Sequence, residues 1–138
     1  GDAGSLLLGF LVAALTLKLD LPVGAAAPRV LCTVLLAGVP LFDLTLVMVS
    51  RLRAGRPVHV GGTDHLSHRL ANAGVAGPAI VLIVTGAQVL CSLLALVAYR
   101  QPQGVVLVLG TAVASLWVGM LVLLLRLPTP VDLSSRAA

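Results

Sequence analysis

The stretch GVAGPAIVLIVTGAQVLCSLLALVA, residues 74–98, decides the fold. It passes from end to end without a charged side chain. A helix rises about 1.5 Å per residue, so about 20 apolar residues cross a hydrocarbon layer roughly 30 Å thick. Three more apolar runs cover residues 5–21, 29–50 and 104–125, the first at the short end of the spanning range. The expectation is an all-α integral membrane protein with about four transmembrane helices, its residues 1–138 forming a single membrane domain.

Composition supports this. The chain is 59% hydrophobic and 10% charged, with mean hydropathy +1.10. A soluble domain carries about 25% charged residues, so too few polar groups are present to cover a water-facing surface. The net charge of +4 could suggest nucleic acid, but no basic run with interleaved aromatics occurs and aromatics make up 3%. The excess reads as topology charge, with no nucleic-acid partner. Cys32 and Cys91 both lie inside apolar runs and read as small core or lipid-facing residues, not as a disulfide or metal pair. No basic segment or cleavage site marks a signal peptide around the first run.

The connections differ. Residues 18–29 and 99–104 are short and contain Pro and Gly, whereas 51–74 is long and polar and holds Arg51, Arg53, Arg56, Arg69 and all three histidines. Placing this loop and the tail in the cytoplasm puts six of the nine basic residues inside, with Lys18, Arg29 and Arg100 outside. Both chain ends are then cytoplasmic, and Asp2 shares a membrane face with the histidine loop over 51–73. The tail from Arg126 onward reads as a frayed terminus.

Three places could carry chemistry. In GDAGS, residues 1–5, Asp2 and Ser5 precede the first apolar run. They read either as helix caps or as a phosphate or Mg²⁺ site, since a helix start offers N–H groups and a positive dipole end. Asp43 stands well inside the second run, where a charge costs about 2.5–3.5 kcal/mol on insertion scales and usually faces a bundle interior or an aqueous cavity. Pro40, three residues earlier, can break the helix and free a carbonyl. The bland alternative is that Asp43 is protonated or paired with Arg51 or Arg53. In TDHLSHRL, residues 63–70, His65 and His68 share a helical face, Asp64 and Arg69 flank them and Thr63 is a plausible N-cap. Metal binding, an anion clamp, general acid–base work and a merely solvated loop all remain open. His59 reads as loop.

Taken in order, GDAGSLLLGF, GVPLFDLTLVMVSRLRAGRPV and DHLSHRL resemble the membrane-embedded polyprenyl-phosphate N-acetylhexosamine-1-phosphate transferases. This family holds the undecaprenyl-phosphate N-acetylglucosamine-1-phosphate and phospho-muramoyl-pentapeptide transferases. The resemblance covers about residues 1–73, and the last two runs match only as generic spans. It implies that a polyprenyl phosphate attacks a UDP-sugar, UMP leaves and a lipid-linked sugar pyrophosphate forms, with Mg²⁺ as cofactor, at the cytoplasmic face of a bacterial plasma membrane. By the same resemblance Asp2 is the metal ligand and acts with His65 and His68 in catalysis. Arg69, Ser67, Asp64 and Asp43 stand on the substrate side, and a homodimer is a candidate assembly.

Two departures matter. Ser67 occupies the middle histidine position of the family's His-x-His-His-Arg loop, which removes one donor or base. The family's acidic pair and Asn/Asp motif, which lie upstream of the glycine–aspartate turn, are missing. The expectation is therefore that the chain is the C-terminal portion of a longer enzyme, that the other half is its partner, and that it is inactive alone. Two further classes stay open: a transport module with Asp43 in a proton or cation path, and a non-catalytic membrane subunit.

Overall fold

The structure, a computed structural model, describes residues 9–11, 13–14, 18, 26–58 and 64–127. Five helices are defined among them: α1 (Ala26–Leu36), α2 (Gly38–Arg53), α3 (Leu66–Asn72), α4 (Gly77–Ala98) and α5 (Gln103–Leu125). No strand occurs among the described residues. The chain is an all-α membrane protein. The helix expected over 5–21 falls mostly outside the described residues; Gly9, Phe10, Leu11, Ala13, Ala14 and Lys18 within it are helical. Asp2, Ser5, His59, Thr63 and the tail beyond Leu127 also lie outside them.

α4 and α5 are each long and apolar enough to cross a membrane, and they follow the third and fourth runs within a few residues. Pro78 sits in the first turn of α4, where no backbone N–H is needed. A short turn over 99–102 ends on Pro102, the N-cap of α5, so the two helices run antiparallel. Valines and leucines all round both helices stay exposed, among them Leu82, Leu96, Val108 and Leu116. Such faces belong in lipid or against further helices.

Where the second run suggests one helix over 29–50, α1 and α2 meet at Ala37 with a bend of 76°. Taken together they qualify as one broken span. The cause is local. Pro40 has no N–H to give the Leu36 carbonyl, and its ring crowds that carbonyl. The chain therefore cannot carry its ladder straight through, and a buried carbonyl without a donor is costly in a membrane. Gln88 of α4 supplies the missing partners. Its Nε2–H donates to Leu36 O at 3.0 Å and to Leu35 O at 3.4 Å. Its Oε1 accepts from Val39 N–H at 3.1 Å.

The bend divides the packing in two. Leu31, Cys32 and Leu35 of α1 are buried with Ala95, Ala98 and Val106, beside the α4–α5 turn. Phe42 and Leu46 of α2 are buried with Leu124 at the other end of α5, and Trp117 packs against them. The Phe42 and Trp117 rings meet edge-on at 5.8 Å. The broken span thus runs from the turn end of the α4–α5 pair to the opposite end, where α3 lies. Cys32 and Cys91 are free thiols, as expected.

At the break, the backbone of Gly38 comes against α4. A Cβ added there would stand 3.0 Å from Cys91 Sγ and 3.3 Å from Cys91 Cβ. Gly38→Val is expected to push α2 off α4 and to destabilise by about 1–3 kcal/mol, seen as a lower melting temperature in detergent. An unchanged melting temperature would show that the contact is slack.

Candidate functional site

The site forms where α2 hands over to α3. α2 closes on Ala54 with Gly55 left-handed at φ +63°. Gly55 N–H donates to Leu52 O and Arg56 N–H to Arg51 O, which satisfies the last carbonyls and reverses the chain. α3 ends the same way at Gly74, φ +88°, with Gly74 N–H on Ala71 O and Val75 N–H on Leu70 O. Glycine alone takes these left-handed positions without strain.

Between the two reversals, buried charge pins the loop. Asp64 is 1% exposed. Its Oδ2 accepts from Arg51 Nε at 3.1 Å and its Oδ1 from Arg56 Nη2 at 3.0 Å. Arg51, itself 6% exposed, also donates to Val58 O at 2.9 Å. Arg69, 1% exposed, spreads its donors over Asp64 O, Leu124 O and Leu127 O at 3.2, 2.9 and 3.1 Å and over Ser50 Oγ. The fork geometry of a guanidinium suits such a fan of acceptors. The histidine helix is thereby tied to α2 and to carbonyls at and just past the end of α5.

Asp43 completes the arrangement. His65 is the N-cap of α3 but makes no side-chain capping bond itself. The cap comes across from α2: Asp43 Oδ1 accepts from Leu66 N–H at 2.7 Å. Asp43 Oδ2 meets His65 Nδ1 at 2.8 Å. A carboxylate oxygen accepts, so Nδ1–H is the donor in this contact and Nε2 is the ring nitrogen turned away from Asp43. His68 lies one turn on, its ring 6.5 Å from that of His65. His65, Ser67 and His68 are exposed. An oriented imidazole with a free nitrogen beside a second histidine can hold a proton, or donate to an oxyanion once protonated.

Of the residues singled out from the sequence, Asp43, Asp64, His65, Ser67, His68 and Arg69 come together at this end of the bundle. Asp2 lies outside the described residues. Arg51 and Arg53 were candidate partners for Asp43; instead Asp43 bonds the start of α3, and Arg51 is engaged by Asp64. Sequence reasoning missed the parts played by Arg56, Ser50 and Gln88. Gln88 carried a readable signal, an amide inside an apolar run.

Among the described residues, no three of His, Cys, Asp and Glu gather as a metal site. Both oxygens of Asp64 face guanidiniums, and both of Asp43 face α3. Mg²⁺ asks for a near-octahedral set of oxygens, and the described carboxylates do not offer it. The Mg²⁺ expectation therefore rests on Asp2.

No family model and no solved structure matches the chain. Curated relatives do. A Streptomyces coelicolor protein provisionally named a glycosyltransferase is 38% identical over 86% of this chain and 27% of its own length. The undecaprenyl-phosphate alpha-N-acetylglucosaminyl 1-phosphate transferase of Escherichia coli is 35% identical over 79% of this chain and 30% of its own length. The decaprenyl-phosphate N-acetylglucosaminephosphotransferase of Mycobacterium leprae is 33% identical over 61% of this chain and 24% of its own length. Over these stretches the chain is similar to polyprenyl-phosphate N-acetylglucosaminyl 1-phosphate transferases. It spans between 24% and 30% of the length of these three relatives. The segment that carries His65, Ser67 and His68 is the one that Asp43, Asp64 and Arg69 fasten here.

Proposed function

We propose that the chain is part of a membrane enzyme that transfers N-acetylhexosamine-1-phosphate from a UDP-sugar to a polyprenyl phosphate. A lipid phosphate oxygen forms a bond to the β-phosphorus, the bond from that phosphorus to the bridging oxygen breaks, and UMP leaves with the bridging oxygen. The observation that carries this reading is the Asp43–His65 pair beside His68 at the end of the apolar bundle. The names of the relatives support the same reaction. Phosphoryl transfer needs positioning and charge neutralisation more than covalent chemistry, and exposed imidazoles fixed at a membrane edge suit both.

The basic residues of 51–74 favour the cytoplasmic face of a bacterial plasma membrane as the site's location. Arg69 and Asp64 are engaged by protein groups, so their part is to hold the loop in shape. His65, His68 and Ser67 are left to meet substrate. A cation path through Asp43 fits less well, because both of its oxygens are already bonded.

The test uses the natural protein in detergent with UDP-N-acetylglucosamine and undecaprenyl phosphate. UMP release that depends on the lipid is expected, with none from the 138-residue chain alone. A natural protein that releases no UMP with this pair or with the muramoyl-pentapeptide donor would sink the proposal.

A further inference from the structure

Gln88 is the one amide side chain of α4, a helix otherwise built for hydrocarbon. It is half-buried near the helix midpoint. Both ends of its amide meet the α1–α2 break. Its Nε2 also lies 3.4 Å from Ser92 Oγ, and Ser92 in turn donates to the Gln88 carbonyl at 2.9 Å. We infer that Gln88 is a positioning residue: its amide sets the angle of the broken span and, through α2, holds Asp43 against His65.

Pro40 explains why the span breaks but not the angle it takes. Removing the Leu36 ladder bond leaves a hinge with a freed carbonyl on one side and the Val39 N–H on the other. In hydrocarbon those two groups have no water to turn to. Only orientations of α2 that keep both within reach of one amide are fully bonded, and Gln88 thereby selects among them. Gly38 lets the backbone come close enough to α4 for this.

The lever arm is short but sufficient. Asp43 lies five residues past Gly38, about 7.5 Å along α2. A change of about 10° in the bend moves it by about 1.3 Å on that arm. A displacement of about 1 Å at a reacting centre can cost about 10²-fold. The effect on activity rests on the transferase reading; the effect on the angle does not.

The experiment separates the two. In the natural protein with Cys32 and Cys91 replaced by Ala, spin labels are placed through Val30→Cys on α1 and Leu52→Cys on α2, which are 63% and 66% exposed. Gln88→Leu is expected to broaden and lengthen the label distance, by up to about 6 Å for a straightened span. Gln88→Glu is isosteric and, when neutral, keeps the acceptor and one donor. It is expected to restore the distance and to stay within about tenfold of wild-type turnover. If Gln88→Leu does not accumulate, Gln88→Asn, too short to bridge both sides, carries the same distance test.

On the kinetic side, Gln88→Leu is expected to lose about 10²-fold in turnover. Combined with Asp43→Asn it should do little further harm, because both act on one pair. An unchanged distance in Gln88→Leu overturns the inference, as does a Gln88→Glu protein displaced like Gln88→Leu. Losses that multiply in the double variant overturn the link to Asp43. A wild-type protein without UMP release refutes the transferase reading alone, and the distances still decide the angle.

Discussion

Asp43→Asn is expected to lower turnover by about 10²–10⁴-fold while leaving the protein folded. The substitution is isosteric, and the remaining amide oxygen can still accept the Leu66 N–H that Asp43 now caps at 2.7 Å. What goes is the negative charge facing His65 Nδ1 at 2.8 Å. Without it the ring is free to turn and to take the other tautomer, so Nε2 is no longer reliably the free nitrogen. The rate of UMP release per folded protein measures this, with the melting temperature as the control. His65→Ala should fall as far, and the double variant little further, since the carboxylate has nothing left to orient. An Asp43→Asn enzyme at wild-type rate would show that the pair is only a helix cap.

Asp64→Ala is expected to act on stability instead, at about 3–5 kcal/mol. The carboxylate is buried between Arg51 and Arg56. Removing it takes the Asp64 carboxylate away from the Arg51 guanidinium, which has 7% side-chain exposure, in a poorly hydrated place. Native stabilities are about 5–15 kcal/mol, so the expected result is poor accumulation in membranes and a much lower melting temperature. Arg56→Ala supplies the contrast. That side chain is 32% exposed, and its loss should cost about 1 kcal/mol or less. Equal effects from the two variants would contradict the burial-based account.

The contrast between these residues shows what the sequence could disclose. α4 and α5 were legible because each apolar run states its own length; no distant residue is needed to see a span. Pro40 announced a break in the second run, since the missing N–H is a local fact. The bend's partner was not legible, because Gln88 lies 49 residues from Val39. Asp43 stood out as a charge at membrane depth, yet its bond to His65 crosses 22 residues of chain. Arg69 reads as an anion clamp in DHLSHRL; only the folded chain shows its guanidinium turned inward onto carbonyls 55 and 58 residues away. Family resemblance pointed to the histidine loop, and packing decided which of its described side chains were left exposed.

The bonds from Arg69 to Leu124 O, in the last turn of α5, and to Leu127 O just beyond it also carry a timetable. A ribosome adds about 5–20 residues per second. Leu124 and Leu127 therefore follow Arg69 by roughly 3–12 s of synthesis, and they become partners only after α4 and α5 have been made. Until then the histidine helix has its bonds to α2 and to Asp64 but not these two. The histidine end of this segment thus gains its Arg69 bonds to Leu124 and Leu127 only once the last span has been made, and a stalled or truncated last span would leave the histidine helix tied to α2 but not to the end of α5.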